Sequence, residues 1–198
     1  MAIFALSDVA RKRRPVLLSW YGRESGEGVS MEAVSVSLWF QALPGPARAL
    51  FLAFLACLLW ETVEDCRHLL IHDRAVVFLA GGGLWFSALC GMPWTESLAG
   101  AAYGAGFLGA VRLASRGGLG WGDVKLAGGL GTWLGPEQTG LCLGLAFVAG
   151  GCVALALLAC RRCRRGSVLP FGPFLCGSAL LSLCCGPALL SRYYSWIL

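Results

Sequence analysis

Charge is scarce in this chain. Only 14% of its 198 residues are Asp, Glu, Lys or Arg, against 57% hydrophobic residues and a mean hydropathy of +0.69. Soluble domains carry about a quarter of their residues as charges, so this balance excludes a soluble globular enzyme and points to a polytopic membrane protein. Histidine is scarcer still, with two residues, which excludes a histidine-rich metal centre. No apolar run of adequate length precedes a small-residue cleavage site in the first 30 residues, so no secretory signal peptide is read there and the first span is expected to serve as the targeting signal. No internal repeat is evident, which disfavours the duplicated architecture of many transporters.

What the chain has is long apolar runs. They fall at roughly 31–44, 47–63, 75–92, 95–113, 124–135, 138–160 and 168–190, separated by charged or Pro/Gly breaks. At about 20 residues per span, the expected fold is an all-α membrane helix bundle of six to seven spans. A cytoplasmic N-terminal segment is expected over 1–30 and one membrane-embedded domain over 31–198. The runs at 31–44 and 124–135 are short for a core about 30 Å thick and are expected to tilt, re-enter or extend into polar sequence.

The net charge of +5 is distributed by topology. With the N-terminus inside, fourteen of the sixteen Lys and Arg residues fall in cytoplasmic segments, leaving Arg48 and Arg192 outside. The basic run Arg11 to Arg14 therefore reads as topogenic or as binding anionic lipid, not nucleic acid. Ten cysteines look chemical until placed. Seven (Cys57, Cys90, Cys142, Cys152, Cys176, Cys184 and Cys185) lie within apolar runs and read as small hydrophobes. Cys160 and Cys163 form one CxxC among arginines, without the second pair a tetrahedral zinc site needs, so neither a metal nor any other cofactor is expected.

The few acidic residues are then informative. Glu61, Glu64 and Asp65 end the second run, and Asp123 stands in Gly120-Trp121-Gly122-Asp123-Val124-Lys125 at the head of the fifth. Ionisable residues at membrane depth mark functional sites, and this topology puts both groups at the cytoplasmic edge. Two close carboxyls relieve their repulsion by sharing one proton, which is the equipment of aspartyl-type peptide hydrolysis: one group deprotonates water while the other protonates the carbonyl. Gly120 and Gly122 are expected to allow a backbone bend and the close approach of an extended peptide beside Asp123. Glu61, one helical turn before Asp65, is a supporting candidate. Glu64 is expected to face headgroups or pair with Arg67, and Lys125 to orient substrate, tune the pair or snorkel to headgroups. Gly100, Gly104, Gly106, Gly109, Gly128, Gly129 and Gly131 read as helix-packing positions.

GLGWGDVKLAGGLGTWLG resembles the active-site segment of the type IV prepilin peptidases, which are GxGD-type aspartic membrane proteases. DCRHLLIHD resembles that family's first catalytic loop, LPFGPFLCGSALL its segment before the last span, and SWYGRESGEGVSMEAVSV more weakly the join to its membrane domain. The resemblance implies Asp65 and Asp123 as the catalytic aspartates, with His68, Asp73 and Lys125 at positions typical of the family. It also implies prepilin or pseudopilin precursors as substrates and a multi-pass location in the bacterial inner membrane with the active site facing the cytoplasm. Two departures stand out: His72 replaces the family's usual proline, and the four-cysteine domain associated with N-methylation is missing, so methyltransferase activity is not expected. A preflagellin-type peptidase and a small ion-coupled transporter are the alternative readings.

Overall fold

The structure is a computed structural model that describes residue 40 and residues 43–116, 118–160 and 169–197. Five helices follow one another and no strand occurs among the described residues: α1 (Gly45–His68), α2 (Asp73–Cys90), α3 (Trp94–Ala114), α4 (Trp121–Ala159) and α5 (Gly172–Ile197). Helices are what these apolar runs must form, since a backbone in lipid has to satisfy its polar groups within its own segment. By length and composition α1, α2 and α4 are able to cross a membrane, and Gly172–Gly186 is a shorter apolar helix. The expected segment at 31–44 lies outside the described residues except for Phe40, Leu43 and Pro44.

The boundaries follow local chemistry. Pro44 precedes α1, where a missing N–H costs nothing. The helix closes at Leu69, a non-glycine residue in the left-handed region (φ 53°), whose N–H donates to the Asp65 carbonyl at 3.0 Å. Gly91 (φ 75°) closes α2 in the ordinary glycine manner. Within α4 the backbone leaves helical geometry at Gly135 (φ 70°, ψ 174°), just before Pro136. This is a reversal. Ala127 and Thr139 both pack on Gly104 of α3, while Gly140 meets Tyr103 and Phe147 meets Phe107, so the second arm of α4 runs back along α3 in the opposite sense to the first. The sequence break between the expected runs 124–135 and 138–160 is thus a turn between two antiparallel arms, and the first run extends back to Trp121.

That short first arm is the centre of the molecule. Leu126, Ala127, Leu130, Trp133 and Leu134 are all buried, and the Trp133 ring lies 4.3 Å from Phe54 and 5.0 Å from Phe86. Its indole N–H donates to the Leu79 carbonyl at 2.7 Å, which Thr132 Oγ1 also approaches at 3.3 Å. A buried indole needs such a partner. Large apolar side chains such as Leu59, Val77, Leu113 and Leu155 point outward, where lipid takes the place of water.

Glycine makes the α3–α4 contact possible, by absence of bulk. A methyl group at Gly104 would sit 2.5 Å from the Ala127 carbonyl oxygen, and one at Gly100 would overlap the Gly131 carbonyl. Gly106, by contrast, has nothing within 4 Å of such a methyl and is not a packing position. Gly104→Val is therefore expected to lower stability in detergent by about 1–3 kcal/mol, the usual cost of overpacking. Gly106→Ala is expected to be neutral or mildly stabilising in the same unfolding measurement, because open space receives its methyl and alanine favours helix.

Candidate active site

The described residues bury three carboxylates, Glu61, Asp65 and Asp123, at 1%, 5% and 8% exposure. All three lie at one end of the bundle. Glu61 and Asp65 occupy the last turns of α1, and Asp123 the first turn of α4. Asp65 is within electrostatic range of both Asp123 and Glu61.

Asp65 is held from the far end of the chain. Its Oδ2 accepts the backbone N–H of Gly172, the first residue of α5, at 2.8 Å. The unpaired amides of a helix start suit an anionic group. Gly172 is required by space: a methyl there would stand 2.6 Å from the same Oδ2.

Asp123 is held locally. As the third residue of α4 it reaches back to accept the Gly120 N–H at 3.2 Å, the carboxylate half of a capping box whose other half glycine has no side chain to supply. The turn ahead of it is pinned by Arg112 of α3, which donates to the Leu119 carbonyl and lies 4.8 Å over the Trp121 ring.

The two glycines of this motif do something other than the expected bend. Gly120 has ordinary extended geometry (φ −69°, ψ 148°) and Gly122 is helical, so neither position demands glycine for its backbone. Bulk is what matters. A methyl at Gly120 would lie 3.0 Å from Asp123 Oδ2, and one at Gly122 would lie 2.9 Å from Ile71 Cβ. Gly122 thus lets the α1–α2 link pack directly beside Asp123.

The other candidates fall into pairs. Lys125 Nζ meets Asp73 Oδ1 at 2.7 Å, tying the start of α4 to the start of α2. Glu64, expected to face headgroups or pair with Arg67, lies 3.9 Å from His68, one turn on. His72 donates its backbone N–H to Glu61 Oε2 at 3.2 Å and holds Nδ1 3.7 Å from Oε1. Sequence reasoning had no means of finding Gly172 as a partner of Asp65, although the Pro170–Pro173 stretch is a visible helix-start signal.

No group of three or more His, Cys, Asp or Glu able to hold a metal ion occurs among the described residues. The described cysteines are unbridged, with Cys142 and Cys176 buried and Cys152, Cys184 and Cys185 exposed on the outer surface. Cys163 and Arg161 to Arg165 lie outside the described residues.

Comparison with known proteins gives this arrangement a context. The sequence pattern of the Type IV leader peptidase family matches residues 52–155, just over half the chain, and spans both Asp65 and Asp123. A prepilin leader peptidase/N-methyltransferase of Aeromonas salmonicida is 31% identical over 160 residues, covering 78% of this chain and 54% of that protein. The Bacillus subtilis protein of the same name is 28% identical over 145 residues, covering 71% and 57%. The leader peptidase HopD of Escherichia coli is 34% identical over 146 residues, covering 66% of this chain and 90% of that protein. The chain spans about half the length of the first two relatives. No solved structure matches it.

Proposed function

Because the chain belongs to the type IV leader peptidase family, we propose that it is a membrane aspartic endopeptidase that removes leader peptides from type IV prepilins or pseudopilins, with Asp65 and Asp123 as its catalytic pair. The observation that carries this reading is the burial of these two carboxylates within electrostatic range of each other at one end of the bundle.

The chemistry follows from the two groups. One carboxylate removes a proton from water as the water oxygen attacks the scissile carbonyl, while the other, protonated, gives its proton to the carbonyl oxygen. The resulting gem-diol collapses as the carboxyl that took the water proton passes it to the departing nitrogen and the other carboxylate takes a hydroxyl proton, so that the C–N bond breaks and the carboxyl product forms. Which aspartate begins as the base is a property of the pair, since one proton is shared between them. The Gly172 and Gly120 amides hold each carboxylate by one oxygen and leave the other for water or substrate. A transporter would be expected to carry its carboxylates near the bilayer midplane, and these lie at a helix-end face.

The proposed orientation places the site at the cytoplasmic face of the inner membrane, in a bundle of six to seven spans with α4 supplying two of them through its reversal at Gly135. Reporter fusions after Arg74 and Gly118 are expected to signal cytoplasm, and fusions after Pro93 and Glu137 the outer side. An outer signal at Gly118 would place Asp123 away from cytoplasmic precursors and contradict the proposal.

A further inference from the structure

We propose that Glu61 and His72 form a positioning pair for the catalytic carboxylates, in which a partly exposed imidazole balances a buried third acid and thereby fixes the Leu69–His72 link against Asp123. The proposal rests on the reading of Asp65 and Asp123 as the catalytic pair.

Glu61 is the most buried acid described, and nothing in the peptidase chemistry above uses it. One oxygen accepts the His72 N–H. The other oxygen, Oε1, has no hydrogen-bond partner, and neither does the imidazole Nδ1 that lies 3.7 Å away. A buried carboxylate oxygen without a partner is costly, and Nδ1 is the nearby group able to donate to it. The groups that act on Glu61 or feel its charge are Cys57, Glu64 and Asp65 on α1, Cys176 on α5, and His72. Only His72 among them carries positive charge on protonation. Its side chain is 42% exposed overall, while Nδ1 itself is buried beside Glu61. Asp73, next in sequence, is already engaged by Lys125.

The geometry explains how this reaches the catalytic groups. The link starts at Leu69, whose N–H closes the helix turn that carries Asp65, and ends at His72, which caps α2. Between them Ile71 lies on Gly122, the residue before Asp123. Glu61 anchors the end of the link nearest Ile71. Releasing that anchor lets Ile71 retreat from Gly122 and loosens the approach of Asp123 to Asp65. A proline at position 72 would provide neither the N–H nor the imidazole.

The test is steady-state cleavage of a prepilin precursor by the purified full chain. Glu61→Leu, which leaves the His72 N–H and Nδ1 without their carboxylate, and His72→Ala are each expected to lower kcat about tenfold with KM within about twofold, as for one lost buried polar contact. The double variant is expected to be no worse than either single one, because the two residues act as a unit. His72→Asn, like His72→Ala, keeps the backbone N–H, but it also offers an amide near the place of Nδ1. It is expected to retain kcat within about threefold. Wild-type kcat in Glu61→Leu, additive losses in the double variant, or a loss in His72→Asn as large as that in His72→Ala would each overturn the pair. If His72→Ala does not fold, Glu61→Leu and His72→Asn decide the question. Asp123→Asn is assayed alongside: continued cleavage there overturns the catalytic reading and this proposal together, whereas an inactive Asp123→Asn with a fully active Glu61→Leu overturns this proposal alone.

Discussion

Asp65→Asn and Asp123→Asn are each expected to reduce precursor cleavage by at least about a thousandfold while leaving the protein in the membrane at normal abundance. The magnitude is that of removing an acid–base group from a mechanism with no substitute for it. Asparagine nearly matches aspartate in shape, and its amide oxygen still accepts from the Gly172 or Gly120 N–H, so the helix ends that hold these residues remain in place. What is lost is the ability to take and return a proton. Glu64→Gln, at the half-buried position paired with His68, is expected to be mild and serves as the control. Cleavage assays on membranes, with immunodetection of the enzyme, separate lost chemistry from lost protein. Near wild-type cleavage by either asparagine variant would remove that residue from the pair.

Gly172→Ala is expected to lower kcat by on the order of a hundredfold, the scale of an ångström-level displacement of a catalytic group. The added methyl meets Asp65 Oδ2 at 2.6 Å, inside any tolerable contact, and Asp65 Cγ at 3.0 Å. Either the carboxylate rotates away or α5 backs off, and both outcomes break the hydrogen bond from the Gly172 N–H. Gly177→Ala is the matched control on the same helix, since a methyl there has nothing within 4 Å. Equal activity in the two alanine variants would mean that the start of α5 does not position Asp65.

These two predictions differ in how far the sequence carries them. Asp65 and Asp123 are visible as acids at the edges of apolar runs, because a carboxylate in a membrane protein stands out against everything around it. The break at Gly135–Pro136 is likewise visible, because proline and glycine interrupt a helix wherever they fall; that the arms then run antiparallel depends on packing against α3. The role of Gly172 is not visible. It depends on a contact between residues 107 apart, and no local pattern encodes which carboxylate a helix start will meet. The same holds for Lys125 with Asp73, 52 residues away. Gly120 and Gly122 show a subtler gap. Their presence marks the site, but backbone freedom and lack of bulk look identical in a sequence, and only the positions of Ile71 and the Asp123 carboxylate distinguish them.

The energetics of the site explain its construction. Three acids packed at one end of a bundle repel one another, and desolvation adds to the cost. The fold offsets this with a backbone amide for each: Gly172 for Asp65, Gly120 for Asp123 and His72 for Glu61. Each amide lies at or beside a helix start, where N–H groups lack partners within the helix. The bundle thus spends its unpaired amides on its buried carboxylates.

The central claim is tested most directly by incubating the purified chain with a prepilin precursor and weighing the products by mass spectrometry. The account predicts two fragments whose masses sum to that of the precursor plus one water, and an intact precursor when Asp123→Asn replaces the wild-type chain. An intact precursor with the wild-type chain, or the same two fragments from Asp123→Asn, would contradict it.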